Sequence, residues 1–201
     1  PEVSVLAAAA SLGRSRSEEV LLVGDVEAVR RAAKARGVRA RVEAVAEPVF
    51  SRRAIHVWQP TKSLAPRERE LGRPSRAGGA AQLAWIDAAC DLVASGGADA
   101  LVTGPVSKDA IASSAAVTRD RAARQFLGHT EHLQRRLGAR EVVMAFASDE
   151  LVTALVSTHI PISAVPRAVT AASVATATFW LADFVTRTCA RRARIAVAAL
   201  I

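Results

Sequence analysis

Val20-Leu21-Leu22-Val23-Gly24 is a short apolar run with the length and branching of a buried strand. Asp25 follows where a helix N-cap belongs, Val26 to Arg36 keep a helical period, and Gly37 is a stop. The same alternation continues along the chain. Arg41 to Val45 and Ile55 to Trp58 read as strands. Gln59 to Gly78, with three prolines and little apolar period, reads as a long loop of the kind that forms lids or flexible surface. Gly79 to Ser95 is the clearest helix, with Leu83, Ile86, Ala89, Cys90 and Val93 on one face.

Further on, Asp99 to Thr103 reads as a strand, Gly104-Pro105 as a turn, and Ser107 as the cap of a short helix through Ser113. Val117 to Leu127 is polar and irregular, and Thr130 to Leu137 is helical with Thr130 able to cap. Val142 to Ala147 and Leu151 to Ser157 are strands, Pro166 to Ala190 is a long helix, and Ile195 to Ile201 is a last apolar strand. Strand, helix and strand in this order predict an α/β fold, a mostly parallel sheet with helices on both faces. In such sheets ligands bind beyond the carboxyl ends of the strands.

Composition removes several classes. The chain has 201 residues with 51% apolar and 23% charged side chains, which is globular rather than disordered. Aromatics are 4% with no tyrosine, so stacking platforms for single-stranded nucleic acid are not expected. The net charge is +8, and all basic residues but Lys34, Lys62 and Lys108 are arginine. The arginines are scattered along apparent helix faces, which predicts a solvated surface and no nucleic-acid partner. An anionic small-molecule substrate suits the same charge. No run reaches the roughly 18 apolar residues of a membrane span, so no membrane partner is expected. Cys90 and Cys189 form no metal spacing, and a reduced, cytoplasmic setting is expected.

Three strand ends carry unusual residues. Thr103-Gly104-Pro105-Val106-Ser107-Lys108 passes from strand to helix, and its free N–H groups and lysine fit either a plain turn or an anion site. Gly128-His129-Thr130-Glu131-His132 places two histidines on one helix face, as a surface pair or as metal ligands. Ser157-Thr158-His159-Ile160-Pro161 sets a histidine at a proline-marked turn, either structural or ligating.

TGPVSK at 103–108, GHTEHL at 128–133 and VSTHIPISAVPRAVT at 156–170 together resemble the 4-hydroxythreonine-4-phosphate dehydrogenase family of pyridoxine phosphate biosynthesis. VLLVGDVEAVRRAAKARG at 20–37 and VVMAFASDELVTALVS at 142–157 support the resemblance, which is faintest over 38–77. It implies a three-layer αβα fold like that of isocitrate and isopropylmalate dehydrogenases. It also implies oxidation of 4-phosphooxy-L-threonine, a phosphorylated hydroxy amino acid, followed by loss of CO₂. The cofactors implied are NAD (or NADP) and a divalent metal, zinc, magnesium or cobalt; the assembly implied is a homodimer. By the same resemblance His129 and Thr130 contact substrate, His159 ligates the metal, and Ser107 and Lys108 lie near the site without an assigned role. A sister dehydrogenase on threonate or erythronate 4-phosphate, and a non-catalytic binder of a phosphorylated ligand, carry the same motifs. Residues 1–201 are expected to be the N-terminal and central part of a two-domain dehydrogenase. Its remaining metal histidines and most of its NAD site would belong to a C-terminal part absent from this sequence.

Overall fold

A computed structural model of the chain describes residues 2–13, 18–189 and 192–198. They fall into two compact units, Pro1–Ala139 and Arg140–Ile201. The first unit opens with helix α1 (Glu2–Ser11), followed by β1 (Leu21–Val23), α2 (Val26–Ala35), β2 (Val42–Val45) and β3 (Ile55–Trp58). All three strands run parallel, in the order β1-β3-β2. Ile55 and Val57, alternate residues of the central strand, are fully buried. They share a core with Val5 and Ala8 of α1 and Val26, Val29, Ala32 and Ala33 of α2. A strand's period of two thus turns one face of the sheet toward two helices. Gly37 ends the α2 turn with φ 65°, the left-handed backbone for which glycine is suited.

Asp25 does more than cap α2. Its Oδ1 accepts from the Ala28 N–H at 2.9 Å, and its Oδ2 accepts from the Leu64 N–H at 3.1 Å. Arg69 Nε lies 3.0 Å from Oδ1 as an ion pair whose angle is not that of a hydrogen bond. The carboxylate, whose side chain is fully buried, therefore pins the 59–78 segment over the end of β1. That segment holds a short 3₁₀ turn, Pro66–Arg69, and is an anchored strap rather than a loose loop. Asp25→Ala leaves Arg69 without its counter-charge and two backbone donors without their acceptor. The expected loss is about 3 kcal/mol of stability, measured by denaturant unfolding. An unchanged midpoint would show that the strap is held by something else.

α3 (Arg76–Ala94) begins three residues before the expected Gly79, because Ser75 caps it by accepting from the Gly78 N–H at 3.0 Å. α4 (Lys108–Thr118) runs past the expected end at Ser113 and stops at Arg119, whose φ is 57°. α5 (Arg121–Arg124) and α6 (His129–Arg136) complete the unit. Leu83 and Ile86 of α3, Ile111 and Ala115 of α4, Ala123 and Phe126 form a second core. The expected strand at 99–103 is not paired with any described strand, and Val102 is 92% exposed. An apolar run becomes a strand only where a neighbour supplies its hydrogen bonds.

In the second unit, β4 (Ala145–Ala147) and β5 (Val152–Ala154) pair antiparallel. They are shorter than expected. Ser148 closes the link between them, its N–H donating to the Leu151 carbonyl at 2.9 Å, and so short a link permits only a hairpin. The expected long helix from Pro166 is two, α7 (Val165–Ala168) and α8 (Ala171–Cys189). The break is built by Thr170 and Ser173. The Thr170 N–H donates to Ser173 Oγ at 2.8 Å and the Ser173 N–H to Thr170 Oγ1 at 3.1 Å, a reciprocal cap that starts a new helix. Ala190 lies outside the described residues. Of the expected last strand, 195–198 form no strand and 199–201 lie outside the described residues. No single described helix is long and apolar enough to cross a membrane.

Candidate functional site

The start of α4 and the start of α6 meet in the first unit. Ser107 has extended backbone, and its Oγ accepts from the Ala110 N–H at 3.2 Å, capping α4. Its own N–H donates to Gln82 Oε1 of α3 at 2.9 Å, so the Thr103–Ser107 turn is tied to the longest helix of the unit. Lys108 is the first residue of α4 and reaches over Gly128. A Cβ built on Gly128 would lie 3.4 Å from Lys108 Nζ and 3.2 Å from Glu131 Oε2. The φ of Gly128, 165°, is ordinary extended backbone. A side chain here would lie close against the ammonium and the carboxylate, whose flexible tips would have to give by a few tenths of an ångström.

Gly128 is the N-cap of α6, not Thr130 as expected, and no side chain caps this helix. An uncapped helix start carries partial positive charge, and Lys108 adds a full one. His129 is the first residue of α6. Its Nε2 is buried and has no hydrogen-bond partner. Burial first, then the charges of His132 and Lys108, hold its pKa below the ordinary histidine value. The neutral ring offers one donor and one acceptor. Thr130 follows in the same turn, half-buried. A lysine, an uncapped helix start and an unsatisfied neutral imidazole together can receive an anionic, hydrogen-bonding ligand.

His132 is not a surface residue. It is buried, and its Nε2 lies 2.6 Å from Asp87 Oδ1 on α3. Sequence reasoning missed Gln82 and Asp87, which lie far along the chain from the motifs they serve. It also missed Phe126, which sits in a stretch that reads as polar and irregular. The available signal was the spacing of Asp87 and Asp91, four apart and so on one face of α3. That spacing says nothing of what packs on the face.

His159 belongs to the second unit and is exposed, with φ 53°. Among the described residues no group of three His, Cys, Asp or Glu side chains could hold a metal ion. A catalytic metal of the zinc type takes about three protein ligands. The donor set present does not fit the implied metal, so no chemical step is routed through one. A groove of about 620 Å³ lined by Arg67, Arg73 and Arg76 lies at the start of α3 and includes neither Lys108 nor His129.

A sequence model of one family, the pyridoxal phosphate biosynthetic protein PdxA, matches residues 16–200. A 4-hydroxythreonine-4-phosphate dehydrogenase of Acidithiobacillus ferrooxidans is 37% identical over 155 residues, covering 75% of this chain and 43% of that protein. One of Geobacter metallireducens is 34% identical over 153 residues, covering 75% and 42%. The solved 4-hydroxythreonine-4-phosphate dehydrogenase of Klebsiella pneumoniae superposes with a TM-score of 0.69 at 20% identity, over 92% of this chain and 55% of that one. The likeness establishes the α/β fold, a mostly parallel sheet with flanking helices. The chain spans less than half the length of these two sequence relatives.

Proposed function

The chain belongs to the PdxA family of pyridoxal phosphate biosynthesis, and from that premise we propose that it binds 4-phosphooxy-L-threonine for oxidation by a dehydrogenase. Its relatives in Acidithiobacillus ferrooxidans and Geobacter metallireducens are 4-hydroxythreonine-4-phosphate dehydrogenases by name. In this reading the family's reaction would draw on NAD as hydride acceptor and on a divalent metal, toward which His159 would give one ligand of the several such an ion needs. The protein works in the cytoplasm as a homodimer, with the resemblance of its motifs as support.

One observation carries the substrate assignment: Lys108 Nζ stands over the uncapped start of α6, beside an imidazole whose Nε2 is buried without a partner. Lys108 and the α6 N-terminus attract the anionic groups of the substrate. His129 and Thr130 hydrogen-bond it, and Ser107 holds the turn that delivers Lys108. Because His129 is kept neutral, it binds through hydrogen bonds and leaves the charge to Lys108.

Calorimetry of 4-phosphooxy-L-threonine into the chain at low salt tests this. Binding is expected, weakened at least about tenfold by Lys108→Ala and by His129→Ala, the scale of one hydrogen bond to a charged group. Binding that neither substitution alters would remove the ligand from this site.

A further inference from the structure

We propose that Asp87 and His132 are a positioning pair, fixing the first turn of α6 on α3 and thereby orienting His129. The proposal rests on the reading of His129 as a substrate contact, but its geometry stands apart from the ligand's identity. α6 has eight residues and no side-chain cap. A helix that short is not stable by itself and is held by what it packs on. Two pairs hold it, in register, and Arg136 links them, its Nε 3.5 Å from Asp87 Oδ1. His132 meets Asp87, and one turn later Arg136 meets Asp91, its Nη2 2.6 Å from Asp91 Oδ2. Both pairs span 45 residues, so α3 and α6 run in the same sense along this seam.

The two pairs differ in environment. The Arg136–Asp91 pair is exposed, Asp91 by 64%, and exposed pairs contribute little. The His132 side chain is 6% exposed. A carboxylate can only accept, so the His132 Nε2 carries the hydrogen and its ring orientation is set. Phe126 transmits that orientation. Its ring lies 5.4 Å from the His132 ring and 6.1 Å, edge-on, from the His129 ring. His129 and His132 sit three residues apart, on one side of the helix. Removing the Asp87 acceptor frees the His132 ring, loosens Phe126, and lets the His129 imidazole turn toward water.

Ring-nitrogen NMR of the four histidines in the ¹⁵N-labelled 201-residue chain decides it, without any ligand. In the parent chain His129 is expected in one tautomer, its ring taking up a proton at lower pH than an ordinary histidine because it is buried. Asp87→Ala is expected to move the His129 signals toward those of His159, and Asp87→Asn, which keeps an acceptor, to restore them. Asp91→Ala is expected to leave them in place. Unchanged His129 signals in folded Asp87→Ala overturn the proposal, as does an equal change in Asp91→Ala. If Asp87→Ala does not fold by circular dichroism, Asp87→Leu, which fills the space without an acceptor, decides: displaced His129 signals support the pair, and unchanged ones overturn it. In parallel, binding of 4-phosphooxy-L-threonine should weaken about tenfold or more in Asp87→Ala, the scale on which a binding histidine suffers when its supporting partner is lost. A parent chain that binds no 4-phosphooxy-L-threonine refutes the substrate reading while leaving the ring-nitrogen result to judge the pair.

Discussion

Gly79→Ala is expected to destabilise the first unit by about 3 kcal/mol or more, although it replaces a glycine inside a helix. Helix propensity alone favours alanine by about 1 kcal/mol. Space decides against it. A Cβ at Gly79 would lie 2.1 Å from the Ala110 carbonyl oxygen and 2.7 Å from the Ile111 backbone nitrogen. Both belong to the backbone of α4, which cannot swing aside as a side-chain tip can. One helix must move off the other, opening the core of Leu83, Ile86, Ile111 and Ala115. Overpacking of this kind costs roughly 1 to 3 kcal/mol, and more where backbone must shift. Denaturant unfolding measures it. The same displacement carries Lys108 away from Gly128, so ligand binding should fall in the variant even at temperatures where it stays folded. A Gly79→Ala chain as stable as the parent would mean that the two helices do not approach so closely.

Gly79 also shows where sequence reasoning stops. As sequence it is a boundary residue, because glycine is a poor helix former and the long loop precedes it. In three dimensions it is the third helical position beyond the true start at Arg76, kept small by a neighbour that begins 29 residues later. The start itself was legible: Ser75 after Pro74 is a capping signal. Asp25 and Gly37 were read correctly because a cap and a left-handed stop act within one turn of chain. The break at Thr170 was equally local, yet a continuous apolar period concealed it. What could not be read was partnership. Residues 101–103 are apolar enough for a strand, but pairing depends on a second segment. The site divides the same way. Lys108 and His129 stand in motifs that lie on consecutive chain. Asp87, without which His132 would be a buried unpaired histidine, lies 45 residues away and becomes meaningful only when α3 and α6 are seen side by side.

The chain of these 201 residues is expected to reduce no NAD when given 4-phosphooxy-L-threonine with zinc, magnesium or cobalt. Substrate contact and hydride transfer are separate demands. In the proposed reading Lys108, His129 and Thr130 answer the first. A metal that serves the second needs several ligands converging on one point, and no such group exists among the described residues. One imidazole such as His159 holds a divalent ion weakly, because ligand number and geometry set affinity. Calorimetry with zinc or cobalt should accordingly give binding no tighter than about tens of micromolar, abolished or weakened by His159→Ala. Groups that act as a unit lose nearly all their effect when one member is missing, so the deficit in turnover is several orders of magnitude rather than a modest slowing. The near-ultraviolet absorbance of NADH is the assay. Turnover near the usual enzymatic range of roughly 1 per second or faster would show that residues of this chain complete the catalytic site. Tight zinc binding that survives His159→Ala would show that the metal is held elsewhere. If the chain binds substrate yet stays silent in the assay, binding and catalysis are divided between the residues described here and groups that must be supplied to them.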